Sequence, residues 1–532
     1  MTTAPPLVPA HTSYAPTAMV STVDALATEA GVAMLRRGGS AIDAAIAANA
    51  VLTVTLPNQC GLGGDLFAIV QHRGEAPEVV IAAGRAGSGA SAEELRAQGQ
   101  LHMPRDGDVR SVTVPGCVDG WLALHRRYAR LELAELLAPA GRYAADGFTA
   151  SGYLAEAVTR RAVRSPDAAA MITGGRLRAG QLIRRPGAAR VLAAIGEHGR
   201  SGFYEGEFGS GLLELGNGLF TEDDLRTDQA EWTAPLSLGV WGARLWTPAP
   251  PSQGYLTLGA AWLAEQAGLG PDPEDPRWAH LLIEAMRQAA HDRPEMLFDG
   301  SDGARLIDPV RLGPRRAGID PDRVADLSDS YRRGGTTYLC VVDADGTVVS
   351  LIQSNCMSFG SGLVAGATGI WLHNRGIGFS LVPGHPGEYR AGRRPAHTLA
   401  PALITDEAGE FRAVLGSRGG DSQPQIVLQL IARLLVGGQD PAAALAAGRW
   451  VLRGAGDETS FDTWGFQGRV RVAVEGQAPA DWAHGLRSRG HEVRTEPPFA
   501  HSFGHAQLIV SDGTRLAGAA DPRSDSAAVG GY

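Results

Sequence analysis

The 532-residue chain contains no lysine, so all 48 of its basic residues are arginine. That absence removes whole chemistries, since a Walker A loop, a pyridoxal Schiff base and a serine–lysine pair all require lysine. Cysteine is scarce too. Cys60, Cys117, Cys340 and Cys356 lie far apart with no C-x-x-C pair, which excludes a disulfide framework and leaves no ligand set for zinc. There is no apolar run of about 18 residues, and residues 1–20 show no charged segment leading into an apolar one. A cytoplasmic protein without a membrane partner is expected. The net charge of −9 and the lack of any dense basic run exclude nucleic acid as a partner. Neither a G-x-S-x-G elbow nor an H-E-x-x-H helix occurs, so the common serine-hydrolase and zinc-peptidase readings have no anchor. No metal and no cofactor are expected.

What is present is an ordinary folded composition, 44% hydrophobic and 20% charged, in a chain long enough for more than one structural unit. Residues 22–37 read as a helix ending at Gly38-Gly39, and Ser40 with Asp43 forms a capping box that opens an alanine-rich helix towards Leu52. The cluster Gly61-Leu62-Gly63-Gly64-Asp65 precedes a strand-like run, Leu66 to Val70, rather than following one, which argues against a dinucleotide loop. Residues 314–335 are polar and end in Gly334-Gly335, the composition of an exposed connection.

At Thr336 the character changes. Thr336–Asp343 and Thr347–Ser354 are apolar, β-branched runs separated by Ala344-Asp345-Gly346, which predicts a hairpin with a three-residue loop. Counting back from that loop sets Thr336 opposite Ser354, with Cβ atoms ~4.5–5.5 Å apart. A second hairpin, residues 402–405 with 411–415, runs into Gly416-Ser417-Arg418-Gly419-Gly420 and a helix beginning near Gln425. Such a glycine loop at a helix start presents free N–H groups to an anion. A threonine hydroxyl is a weak nucleophile, and the smallest base that activates it is its own α-amine once it begins a chain. That amine titrates near ~7.7–8.0, which suits proton transfer in both directions. Cleavage between Gly335 and Thr336 would create it, and the Gly419 and Gly420 amides are candidates for binding the oxyanion.

Thr336-Thr337-Tyr338, then VVDADG, then Phe359-Gly360-Ser361-Gly362 resemble the start of the small subunit of the γ-glutamyltransferase family. LRRGGSAIDAAIAANA with GLGGDLFAIV, PAPPSQG at 248–254 and Ala519-Ala520-Asp521-Pro522-Arg523 resemble further family segments in the right order. The resemblance implies an α+β, four-layer αββα sandwich of the N-terminal-nucleophile hydrolases, with extra helices in the large subunit. It implies self-cleavage into a helix-rich large subunit, 1–335, and a β-rich small subunit, 336–532. It also assigns roles: Thr336 as nucleophile, Ser354 as the hydroxyl touching it, and Gly419 with Gly420 as the oxyanion hole. Arg85 falls where the family arginine holds the glutamyl α-carboxylate, and His397 and Thr398 take the place of two serines lining the pocket.

The departures point to a different acyl group. Gly378 stands where the family carries an acidic residue for the donor's α-amine, Cys356 replaces an asparagine, and Arg375 takes a position usually uncharged or acidic. Losing an acceptor for an ammonium and gaining a cation favours an acid without the amine. The NRGxxFSL and GGDxQPQ patterns resemble the branch that contains oxamate amidohydrolase and glutathione-hydrolase-like proteins. The expected activity is amide cleavage through an acyl-Thr336 ester, passed to water or an amine. γ-Glutamyl compounds such as glutathione are the default donors, amides of small oxo-acids or other acyl amides the alternative. A non-catalytic, unprocessed binding protein is the reading of another class.

Overall fold

Alternation along the strands sorts the side chains into layers. In the strand Asp65–Gln71, Leu66, Ala68 and Val70 face one way while Phe67 and Ile69 face the other, as a two-residue period requires. Leu339 and Val341 divide from Tyr338, Cys340 and Val342 in the same manner. The computed structural model describes residues 10–162, 176–327, 334–454 and 470–532.

These strands belong to a seven-stranded sheet whose spatial order is Ala528–Gly531, Met19–Thr22, Gly335–Val342, Val348–Cys356, Asp65–Gln71, Glu78–Ala82 and Ala230–Thr233, every pair antiparallel. One face packs on the helices Ala25–Arg36, Ala41–Thr55 and Cys117–Tyr128. The capping box expected at Ser40 and Asp43 is formed and starts the second of them, which is buried all round. The other face meets a second seven-stranded antiparallel sheet, with Tyr338, Phe67 and Ile352 packed against Leu403, Val414 and Ile509. The far face of that sheet, through Leu245, Ile404, Leu415 and Leu508, covers the helices Tyr255–Gln266, Pro276–Ala290 and Gln423–Leu435. The order helix, sheet, sheet, helix is the αββα sandwich expected from the sequence.

Both sheets take strands from before and after Gly335. The strand Gly335–Val342 is flanked by Met19–Thr22 on one side and Val348–Cys356 on the other. The junction between 335 and 336 lies at the first residue of this strand, at the end of the ladder with Val348–Cys356, while the ladder with Met19–Thr22 begins at Leu339.

The hairpin forms as counted, with Asp343 N–H donating to Thr347 O at 3.0 Å and Gly346 at φ +80° in the loop. The pairing holds from Val342↔Val348 to Thr337↔Gln353 and then shifts, because Gly335 pairs with Cys356. This bulge sets Ser354 and Asn355 against Thr336. Bulges of this kind re-aim side chains at the ends of ladders. The polar stretch 314–335 departs from expectation at its start, where Asp308 caps a helix, Pro309–Arg316, with proline in its first turn. Further on, Glu284 and Arg287 bind the backbone at Ala325 and Leu327. Residues 328–333 lie outside the described residues.

Phe67 and Ile352 are cross-strand partners buried between the sheets. Phe67→Ala is expected to cost about 3–5 kcal/mol and Ile352→Val only about 0.5–1.5 kcal/mol, read as shifts of the urea unfolding midpoint.

Candidate active site

The bulge brings two hydroxyls to one carbonyl. Thr336, fully buried, places Oγ1 2.7 Å from Gly335 O and 3.2 Å from Ser354 Oγ. Ser354 Oγ donates to Gly335 O at 2.5 Å and accepts from Cys356 N–H at 2.7 Å. The carbonyl just before Thr336 is thus polarised by a hydroxyl on each side. Gln423 Nε2, from the first turn of its helix, donates to Thr336 Oγ1 at 3.4 Å. Gln59 Oε1 accepts from Thr336 N–H at 3.2 Å.

The glycine loop sits on the other side of that bond. Gly419 and Gly420 both have positive φ, +148° and +59°, and lead through a 3₁₀ turn into the helix Gln423–Leu435. A Cβ on Gly334 would stand 2.9 Å from Gly420 Cα and 3.2 Å from Gly420 N. The segment before Thr336 therefore covers the amide expected to bind an oxyanion. Gly335 is equally confined, since a Cβ there would lie 2.7 Å from Ser358 N. Gln253, from the PPSQG segment, donates to Gly420 O at 2.8 Å and to Thr398 O at 3.0 Å, and its Oε1 accepts from Arg293, which pairs with Asp421. One amide side chain joins the glycine loop to the loop carrying His397 and Thr398.

Arg375 is buried, and its Nη1 donates to Thr398 Oγ1 at 3.1 Å. Its Nε and Nη2 have no hydrogen-bond partner among the described residues. A buried guanidinium with two idle donors is a strong attractor for a carboxylate. Behind it stands Asp65, whose Oδ1 accepts from the Gly84 and Gly116 amides and whose Oδ2 accepts from His397 Nε2 at 3.1 Å. Burial would raise the Asp65 pKa, but His373, His397 and Arg375 around it hold it at about 2. Burial, helped by Arg375, pushes His397 down to about 3 against the pull of Asp65. His397 is then neutral at neutral pH, its Nδ1 accepting from Leu399 N–H at 3.3 Å and its Nε2–H directed at Asp65. His373, also neutral through burial, accepts from the Arg375 amide.

Gly378 has no room for a side chain, because a Cβ would meet Ala396 O at 2.5 Å. An acidic residue does not fit this backbone. Arg85 follows the strand Glu78–Ala82, and its guanidinium binds Asp228 O at 3.3 Å and Gln229 Oε1 at 3.5 Å, with Glu231 at 3.9 Å. Those contacts run to the edge strand Ala230–Thr233 and the two residues before it, not to Thr336 or Arg375. Thr336, Ser354, Gly420, Thr398, Arg375 and His397 are linked through shared partners, while Arg85 stands apart. Gln59, Asp65, Gln253 and Gln423 were not singled out in the sequence, although each lies in or beside a glycine- or proline-rich segment that was.

A buried threonine against the preceding carbonyl, on a central strand of an αββα sandwich, defines the class of N-terminal-nucleophile hydrolases. The chain belongs to the γ-glutamyltranspeptidase family, whose model, Gamma-glutamyltranspeptidase, matches residues 27–531. It is 33% identical to the glutathione hydrolase-like YwrD proenzyme of Bacillus subtilis over 96% of this chain and 98% of that one. It is 35% identical to the oxamate amidohydrolase proenzyme of Klebsiella pneumoniae over 95% of this chain and 97% of that one. Among solved structures, cephalosporin acylase from Bacillus halodurans matches with a TM-score of 0.89 and 32% identity, covering 100% of this chain and 99% of that one. The chain is a hydrolase of this family with proenzyme relatives, which opposes the non-catalytic reading. Among the described residues no helix is long and apolar enough to cross a membrane.

Gly335→Ala forces a Cβ into Ser358 and is expected to slow cleavage at 335/336 at least tenfold, followed by denaturing gel over time after synthesis. The depressed His397 pKa sets a second expectation. A base held at about 3 when folded but near 6.5 when free stabilises the fold above 6.5, and that stability drains away as pH falls from 6.5 towards 3. Urea midpoints measured across that window should fall less steeply in His397→Asn than in the unaltered protein.

Proposed function

We propose that the chain cuts itself between Gly335 and Thr336 and then uses Thr336 to cleave amides of small acyl donors. The observation that carries this is the meeting of Thr336 Oγ1 and Ser354 Oγ on the Gly335 carbonyl. Attack of Oγ1 on that carbonyl carbon closes a five-membered ring, and collapse with loss of the Thr336 nitrogen leaves an ester. The departing nitrogen stays on Thr336 and takes the Oγ1 proton to become its free α-amine; water then cleaves the ester, leaving Gly335 as a carboxylate and restoring the Thr336 hydroxyl. Residues 1–335 and 336–532 remain together as the two subunits, because their strands share both sheets. In the second reaction the amine takes the Oγ1 proton, Oγ1 attacks the donor amide, and the Gly419 and Gly420 amides, uncovered by the departing segment, hold the oxyanion. The amine proton goes to the leaving nitrogen, and water or an amine releases the acyl group. The reaction involves no metal or cofactor in this proposal. Four buried, unpaired cysteines support a reducing, cytoplasmic location.

γ-Glutamyl amides such as glutathione are the donors that the family suggests. Arg375 and Gly378 favour a second class, amides of acids that carry a carboxylate and no amine, in line with the oxamate named for one relative. The idle donors of Arg375, assisted by the Thr398 hydroxyl, suit the carboxylate, with His397 spent on Asp65 and the Leu399 amide, and nothing acidic can be built at 378 to receive an ammonium. Arg85, with its own partners, is at most a rim contact for the same carboxylate.

The test has two parts. Intact mass under denaturing conditions should show two fragments divided at 335/336 in the unaltered protein and one chain in Thr336→Ala, which should also lack activity. Glutaryl p-nitroanilide and γ-glutamyl p-nitroanilide differ only by the α-ammonium, and kcat/KM should favour the glutaryl donor by at least tenfold, with Arg375→Gln erasing most of that preference. Equal or better use of the γ-glutamyl donor would return the assignment to glutathione-type substrates.

A further inference from the structure

Behind the Thr336 nitrogen lies a set of side chains that neither self-cleavage nor donor binding accounts for. Gln59 Oε1 accepts from Thr336 N–H at 3.2 Å and from Arg418 Nη1 at 3.2 Å. Gln59 Nε2 donates to the Tyr153 hydroxyl, which also accepts from Arg418 Nη1 at 2.6 Å. The Arg418 guanidinium lies over the Tyr153 ring, 5.1 Å from its centre, and donates to His501 O. Gln59 and Arg418 are both buried. One carbonyl oxygen is thus held between a guanidinium and the nitrogen that cleavage turns into an amine.

We infer that Gln59 and Arg418 are positioning residues for the Thr336 amine: Gln59 fixes its orientation, and the nearby cation keeps it in the free-base form below the ordinary titration range of an α-amine. The inference rests on the proposed role of Thr336. Its physical basis is simple. An α-amine activates Oγ1 only when unprotonated and with its lone pair turned towards that oxygen. Gln59 Oε1 accepts one amine hydrogen and so restricts rotation about the N–Cα bond. A guanidinium one oxygen away repels an ammonium but not a neutral amine, and in a buried site this repulsion is weakly screened. Arg418 directly precedes Gly419 and Gly420, so the same residue ties the amine to the loop proposed for the oxyanion.

The other ionisable groups around this nitrogen do not cancel the effect. Cys60, in the loop carrying Gln59, and Cys356, on the paired strand, are thiols that burial raises to about 12 and about 11. His501 and His505, packed tilted and edge-on against Tyr153, are kept neutral by burial and by Arg418. Asp65, which pairs with Ser354 across the neighbouring strands, is engaged by His397 and two backbone amides. Asp421 is paired with Arg293, and Arg375 adds a further cation on the pocket side.

The experiment is the pH profile of kcat/KM for the processed enzyme with the better of the two anilides. In the unaltered protein the acidic limb should titrate below ~7.7, the lower edge for an ordinary α-amine. Arg418→Gln should move that limb up by about one pH unit, Gln59→Glu should also move it up, and Arg418→Lys should restore it. A role confined to loop geometry would lower the plateau and leave the limb in place, which overturns the inference. So does a limb in the unaltered protein at or above ~7.7, a measurement that stands even if Arg418→Gln fails to mature. Activity surviving in Thr336→Ala would instead remove the underlying reading, so the two failures are distinguishable.

Discussion

Everything at the centre of this molecule depends on one strand being held from both sides. Leu339–Val342 is locked between Met19–Thr22 and Val348–Cys356, and the residues before it continue along Val348–Cys356, so the start of the strand is not free to choose its surroundings. A peptide bond in a flexible loop would meet a neighbouring hydroxyl only occasionally. Here the ladder delivers the Gly335 carbonyl to the Thr336 and Ser354 hydroxyls as a fixed consequence of register. The bulge that doubles Ser354 and Asn355 against Thr336 makes the final adjustment.

The polar groups that support this arrangement come from far apart in the chain and converge because the two sheets stack. Gln253 bridges the glycine loop and the His397–Thr398 loop, and Asp65 gathers two backbone amides and a histidine. Each of these is fully engaged. Arg375 is the exception: it is desolvated by the same packing but left with two donors unused. Leaving a buried cation incompletely paired costs stability, and this cost is what the proposed carboxylate-binding role of Arg375 would offset.

Much of this was legible in the sequence, for reasons that can be named. The hairpin after Thr336 was readable because loop chemistry and β-branched runs fix local register, and counting then placed Ser354 near Thr336 without any tertiary knowledge. The capping box at Ser40 and the αββα layering followed from equally local or family-wide signals. The roles of Gln59, Asp65 and Gln423 were not readable, since a glutamine or an aspartate takes its function from partners hundreds of residues away. Nor could the sequence show that Gly378 lies against the Ala396 carbonyl, which makes that glycine a steric requirement as well as a missing acid. The helix at Pro309–Arg316 was hidden by its charged composition, although its Asp-Pro start was a signal in plain view.

The interleaving of strands from the two sides of residue 335 has a consequence for the life history of the protein. Neither piece contains a complete sheet, so each is an unfinished surface without the other, and the hairpin that brings the carbonyl and hydroxyls together gains its buried surroundings, Gln59 and Gln423 among them, only once both sheets have closed. If the proposed cleavage takes place there, a broken bond at 335/336 is a permanent mark left by a molecule that once reached its native arrangement. The ratio of marked to unmarked chains in a population would then be a tally of folding success, written into covalent structure.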